Sequence, residues 1–294
     1  MKILITGCAG FIGFHLAQKL IKLDFEVFGL DSINDYYDQN LKNDRINILN
    51  SYDNFNFTKI DLSNKNLVEK TFKKFSPNRV VHLAAQAGVR YSLKNPYAYI
   101  KSNLDAFFNV IEMCNKGSSD GLIYASSSSV YGENTILPYN TTDRVDSPLS
   151  LYGATKRSNE LIAYSYSKMY GLNTTGLRFF TVYGPWYRPD MAIFKFTKKI
   201  LNGDKITVYN DGKMKRDFTY IDDIVNGTVS AMKKNFEYEI FNLGNEKSEN
   251  LMDLIGLIER NVGLKAKLNF EPIQNGDMIE TLANIDHSKK NAQL

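Results

Sequence analysis

A glycine-rich loop set between a strand and a helix constrains this chain more than any other feature. Ile3-Leu4-Ile5 is continuously apolar, as a strand covered on both faces requires. Gly7-Cys8-Ala9-Gly10-Phe11-Ile12-Gly13 follows at once, with G-x-x-G-x-x-G spacing. From Phe11 to Ile21 the apolar positions 12, 16 and 20 mark one helix face. Glycines there permit a tight turn and let a phosphate approach the backbone. The helix start adds free N–H groups and the positive end of its dipole. Such a pattern is weak alone; its place between strand and helix gives it weight.

The rest of the first two-thirds alternates in the same way. Strands are predicted at 26–31, 56–60, 79–84, 122–126 and 174–180, with helices at 34–49, 64–75, 96–115 and 151–170. Repeated βα units imply α/β architecture, a Rossmann-type doubly wound parallel sheet with helices on both faces. After Thr181 the pattern loosens around Tyr183-Gly184-Pro185 and Arg188-Pro189. Helices at 221–233 and 250–262 and strands at 239–243 and 265–270 follow. This predicts a cofactor-binding sheet domain over 1–180 and a smaller, discontinuous substrate lobe over 181–294, some of whose segments return to the sheet domain. The length of 294 residues suits two such units.

Composition narrows the function classes. With 43% hydrophobic and 23% charged residues the chain is an ordinary globular one. The net charge of +4 is mild and unclustered, so nucleic acid is not indicated. No apolar run approaches the roughly 18 residues of a membrane span, and the N-terminus shows no leader pattern. Cys8 and Cys114 form no paired motif, which favours reduced thiols and a cytoplasmic protein. His15, His82 and His287 have no metal-ligand spacing, so no metal site is expected.

Asp31 closes the second strand, 18 residues after Gly13. A carboxylate there accepts hydrogen bonds from adenosine ribose hydroxyls and repels a 2′-phosphate, which favours NAD over NADP. A plain turn or cap aspartate is the alternative. Tyr152 and Lys156 are i, i+4 on a predicted helix and share a face. An ammonium or a positive nicotinamide ring beside a phenol lowers its pKa and fits Tyr152 for general-base work. The spacing alone is poor evidence: Tyr97/Lys101, Tyr164/Lys168 and Tyr209/Lys213 share it. Position selects Tyr152, because the strand before it ends in Ala125-Ser126-Ser127-Ser128-Ser129 and brings hydroxyls to the carboxyl edge of the sheet.

These motifs resemble the extended short-chain dehydrogenase/reductase superfamily, and within it the nucleotide-sugar epimerases. The segments that carry the likeness to UDP-glucuronate 4-epimerases are 31–38 (DSINDYYD), 82–92 (HLAAQAGVRYS), 124–132, 178–186 (RFFTVYGPW) and 213–223 (KMKRDFTYIDD). The resemblance implies that Gly7, Gly10, Phe11, Ile12, Gly13, Asp31, Ser32, Asp61, Leu62, Leu83, Ala84, Ala85 and Asn103 bind NAD together with Tyr152 and Lys156. It implies that Tyr152 takes the C4 hydroxyl proton, Lys156 holds the nicotinamide ribose, and Ser127 bonds the C4 oxygen with Ser126 and Ser128 beside it. The C4 hydride passes to NAD, the 4-keto sugar turns, and the hydride returns on the other face.

Sister 4,6-dehydratases carry an Asp-Glu pair where this chain has Ser128-Ser129, and hydroxyls are poor acid/base groups at neutral pH. That absence favours a plain epimerisation cycle. For a uronate, Arg188 is the first candidate for the carboxylate and Arg90 the second, since a guanidinium can bind both oxygens. Arg216 resembles the family arginine that clamps the diphosphate, and Thr181 stands where UDP-galactose 4-epimerases often carry Asn. Val208 and Tyr209 are candidates for the uracil site and Asp277 for a nucleotide contact; a lobe strand and a turn aspartate explain them equally well. The expected partners are a UDP-sugar and a second copy of the chain, paired through the stretches 96–115 and 151–170. Rivals are a UDP-glucose or UDP-N-acetylglucosamine 4-epimerase and a catalytically inactive NAD-binding or sensing protein. The chain ends at Lys290-Asn291-Ala292-Gln293-Leu294, where the family usually continues, so a shortened C-terminus is expected.

Overall fold

Burial on both faces is what organises the first strand. Ile3, Leu4 and Ile5 are all fully buried, yet Ile3 and Ile5 join one apolar cluster and Leu4 another. Successive strand side chains point to opposite faces, so one short run serves two cores. Burying each of these side chains contributes about 1.5–3 kcal/mol.

The computed structural model describes residues 1–117, 119–134 and 136–292; Gln293 and Leu294, at the chain end noted above, lie outside the described residues. The chain begins with β1 (Lys2–Thr6), α1 (Phe11–Ile21), β2 (Glu26–Asp31), α2 (Gln39–Leu49), β3 (Phe55–Lys59), α3 (Lys65–Phe75) and β4 (Arg79–His82). It continues with α4 (Val89–Lys94), α5 (Pro96–Tyr99), α6 (Ala106–Lys116), β5 (Leu122–Ser127), α7 (Leu151–Tyr170), β6 (Thr174–Phe179) and β7 (Thr181–Tyr183). Then come α8 (Ala192–Leu201), β8 (Lys205–Tyr209), β9 (Lys215–Tyr220), α9 (Ile221–Lys233), β10 (Tyr238–Leu243), β11 (Ser248–Asn250), α10 (Leu251–Val262), β12 (Lys267–Glu271) and α11 (Asp286–Ala292).

Seven parallel strands form the central sheet in the order β10-β6-β5-β4-β1-β2-β3. One face packs on α1, α2 and α9 through Phe14, Leu49 and Ile224; the other packs on α3, α6 and α7 through Phe72, Phe107 and Ala163. Strand order reverses between β1 and β4, so their carboxyl ends diverge and leave a crevice. The glycine loop, the β2 end and the β5 end all open onto it.

The later segments interleave. β7, β9 and β11 form one small sheet, and β8 pairs with β12. β8 and β12 pack with α8 and α10 around Ile200, Ile206, Val208, Ile255 and Ile258. Meanwhile α9 lies on α1, and β10 is an edge strand of the main sheet.

Two helices differ from expectation. The helix predicted at 34–49 starts only at Gln39, because Asp38 caps it by accepting from the Asn40 N–H. The released residues 32–38 form a loop carrying Tyr36 and Tyr37. The long helix predicted at 96–115 widens into a π-helical turn over Ile100–Asp105 between α5 and α6, a local distortion common near functional sites.

Candidate active site

The cradle at the end of β1 is built by close packing. Gly7 has φ +76°, and a Cβ on it would lie 2.7 Å from the Ala84 nitrogen. A Cβ on Gly13 would lie 2.2 Å from the Gly7 carbonyl oxygen, so the loop closes on itself only with glycine there. Gly10 caps α1 without a side chain, and the first N–H groups of the helix are left free for an anion. Asp31 accepts from the Ala9 N–H (3.2 Å) and the Ile33 N–H (2.9 Å). Burial raises its pKa, opposed by those backbone donors and by Lys42. Ser32, Asp61, Leu62, Leu83, Ala84 and Ala85 line the same cleft. Free helical N–H groups beside a carboxylate that keeps spare lone pairs fit a dinucleotide with an unphosphorylated ribose.

Farther along the crevice, α7 is capped by Ser150, whose hydroxyl accepts from the Gly153 N–H (3.1 Å). Its first two turns present Tyr152 and Lys156 to the cleft wall opposite Ser127 at the end of β5. The buried Lys156 donates to the Ala125 carbonyl (2.9 Å), and burial pulls its pKa down to about 8. Burial pushes the Tyr152 phenol up, opposed by the Ser127 hydroxyl and then by Arg188. The sequence expectation that Lys156 lowers the phenol is therefore not met by the protein alone. His82 bonds Thr6 (2.8 Å) and is held neutral, its pKa pulled to about 3 by burial and then by Lys156.

The other wall carries Thr181, Arg188, Arg216, Asp277 and Ser128. Arg188 is already engaged: its Nε donates to Asp190 (3.0 Å), and a second nitrogen of the fork bonds the other carboxylate oxygen. Tyr36 donates to that same oxygen (3.1 Å). Burial would raise the Asp190 carboxyl, but Arg188 and Tyr36 outweigh it and hold it below the usual range. A side chain at Gly88 (φ +104°) would lie 2.9 Å from the Tyr36 hydroxyl, so glycine leaves the room this arrangement needs.

A family signature described as the NAD dependent epimerase/dehydratase family matches residues 3–244. This chain belongs to that family. Among family relatives it is 52% identical to Protein CapI of Staphylococcus aureus, over 97% of this chain and 91% of that protein. It is 45% identical to UDP-glucuronate 4-epimerase 4 of Arabidopsis thaliana, over 98% of this chain and 70% of that one. The fold superposes with a TM-score of 0.94 on the UDP-glucuronic acid 4-epimerase of Bacillus cereus, solved with UDP-glucuronic acid and NAD. That pair is 37% identical and covers 100% of this chain and 93% of the other.

Several of the residues expected at the cleft are engaged by other groups of the protein. The Ser126 hydroxyl donates to Glu160 (2.6 Å), while Ser127 beside it points to the opposite sheet face. The Asn103 side chain bonds Gln86 and Thr155 and so fixes the cleft wall. Val208 is buried in the lobe core and offers no side chain to uracil. Arg90 pairs with Asp277 (2.9 Å) and lies over the Tyr209 ring (4.4 Å) at the rim, where Asp277 also lines the cleft. Sequence reasoning missed Ser129, which lines the cleft, and Asp190 and Tyr36 behind Arg188. The signal for Asp190 was its place two residues after an arginine already singled out.

Proposed function

We propose that this family member catalyses the NAD-dependent 4-epimerisation of UDP-glucuronate to UDP-galacturonate. The observation that carries it is the single cleft joining the glycine loop, the Ser127–Tyr152–Lys156 group and the Arg188 cation. Likeness to relatives named for this reaction supports the uronate. The chemistry NAD supplies when bound is reversible two-electron oxidation at C4. Tyr152 accepts the C4 hydroxyl proton and returns it to the same oxygen after the 4-keto sugar has turned its opposite face to the site. Ser127 holds the C4 oxygen, and Lys156 keeps a cation beside the reacting centre. Arg188, whose fork to Asp190 uses Nε and one Nη, offers its remaining nitrogen to the sugar carboxylate and restrains it, which matters because a 4-keto uronate is a β-keto acid prone to lose CO2. Arg216 faces the diphosphate. In this reading residues 1–180 hold the cofactor and 181–294 mainly the nucleotide sugar.

NMR product analysis with UDP-glucuronate, UDP-glucose and UDP-N-acetylglucosamine tests the proposal. Interconversion of UDP-glucuronate and UDP-galacturonate is expected; turnover of a neutral sugar alone overturns the uronate assignment. NAD retained without turnover of any sugar would make the chain a binding protein.

A homodimer in the cytoplasm, supplying surface-polysaccharide precursors, completes the proposal. Leu93, Tyr97, Ile100, Phe108, Leu161 and Tyr164 on α4–α7 and the π-helical turn are 40–83% exposed, apolar surface that a second copy would cover. Both cysteines are buried and unpaired, which suits a reducing compartment. Sedimentation at twice the chain mass is the expected result.

A further inference from the structure

A buried arginine without an acid stands beside the cofactor cradle. Arg45, on α2, is fully buried. Every partner it has is neutral: one guanidinium nitrogen donates to the Ala9 carbonyl (2.8 Å) and the Tyr37 hydroxyl (2.9 Å), and another donates to the Trp186 carbonyl. Its Nε is buried with no partner, and it makes no ion pair among the described residues. An isolated buried cation is costly unless an opposite charge joins it.

The neighbouring charges are of both signs. Lys42, one turn earlier, is also buried and makes no ion pair among the described residues; it donates to Asn34 and lies 4.3 Å from the centre of the Tyr37 ring. Asp31 and then Asp35 are the carboxylates whose fields act on Lys42, opposed by Arg45 and Arg188. Neither carboxylate bonds Arg45. Its guanidinium sits behind the loop whose free N–H groups and helix dipole already favour an anion. Two of the three bonds from Arg45, those to backbone carbonyls, tie the glycine loop to the chain after β7. Ala9 belongs to the glycine loop, and Trp186 (φ +57°, rare for a bulky residue) begins the run that carries Arg188 and Asp190.

We propose that Arg45 is a positioning residue for the cofactor: a buried countercharge, acting through the Ala9 peptide, held in place for the pyrophosphate of NAD. Phosphate charge entering the cradle relieves the uncompensated cation, so the chain gains affinity for the anionic part of the cofactor and little for its nucleoside part. The inference rests on family membership and is independent of which sugar is turned over.

The test is calorimetric binding of NAD, ADP-ribose and adenosine to cofactor-stripped protein, comparing wild type with Arg45→Met and Arg45→Lys. With the countercharge removed in Arg45→Met, Kd for NAD and ADP-ribose rises roughly tenfold to a hundredfold, while Kd for adenosine stays within about twofold. Arg45→Lys, which keeps the charge, recovers most of the affinity. Urea unfolding of the stripped protein separates this from a structural role: Arg45→Met is expected to be as stable as wild type or more so, because a lone buried charge has gone. Unchanged NAD affinity in folded Arg45→Met overturns the proposal. So does an equal loss for adenosine, which would mean that Arg45 only shapes the site. Should Arg45→Met fail to fold, a lysine variant that binds NAD no better than adenosine overturns it too.

Discussion

At the scale of single residues the site separates chemistry from recognition. Tyr152→Phe removes the proton acceptor and nothing else; a loss of roughly 10²–10⁴-fold in kcat is expected, with NAD still bound at wild-type stoichiometry by absorbance. Full activity in that variant would remove Tyr152 from the reaction. Arg188→Ala should lower kcat/KM for UDP-glucuronate by roughly tenfold to a hundredfold. Any activity on UDP-glucose should change little, and an equal fall on both sugars would deny Arg188 its carboxylate. Lys156 gives a pH signature of its own. Its folded pKa of about 8 lies below the ordinary 10.5, so the unfolded chain binds the extra proton between those values. Its charge therefore opposes folding fully below pH 8, progressively less as pH rises, and not at all above about 10.5. Lys156→Met should accordingly be more stable than wild type at pH 7, and the gap in urea midpoints should shrink towards pH 10. A constant gap would mean that the lysine is not desolvated.

At the scale of elements, α7 must be seated against the sheet for Tyr152 to meet Ser127. Glu160, two turns after Tyr152, is fully buried and takes both oxygens into a fork with Arg178 on β6 (2.8 and 2.9 Å) while accepting from Ser126 on β5. One carboxylate thus ties a helix to two strands. Glu160→Ala strands a buried guanidinium and should destabilise by about 3–5 kcal/mol, read from chemical unfolding; a change under about 1 kcal/mol would show the tie to be dispensable. Elements were the most legible level in the sequence. The span of α7 reads directly from Leu151 to Tyr170 because a Ser cap and a Gly stop bracket it. β1 reads directly because a buried parallel strand must be apolar throughout. What stayed hidden was orientation: nothing in Ser126-Ser127 or in Val208-Tyr209 says which neighbour faces the cleft, since register depends on partners distant in sequence. The α2 start was misread because a cap at Asp38 competes with helix periodicity only in three dimensions.

Across the whole molecule the chain crosses back on itself. β10 lies more than fifty residues beyond β6 in sequence, yet the two pair in parallel along six residues, and α9 shields α1. Hence the lobe cannot be released as a separate unit, and its unfolding is expected to coincide with that of the sheet. Coincident urea transitions by the Trp186 fluorescence and by circular dichroism are the expected result; two separated transitions would contradict it. The interleaving was legible only in outline, because a strand such as 239–243 carries no mark of which sheet it will join.

The rim pair of Arg90 and Asp277 bears on traffic. It joins α4 to the segment just before Glu280, which forms an isolated bridge with Lys215 of β9, and its arginine is half exposed. Such a contact is worth about 0–1 kcal/mol, at most about two multiples of thermal energy. A latch that weak stands open for an appreciable fraction of the time, at least roughly one part in six at the upper bound. In the proposed reaction nucleotide sugars would exchange at every turnover beside such a contact, and an enzyme whose redox partner ends each cycle unchanged has no need to let that partner leave.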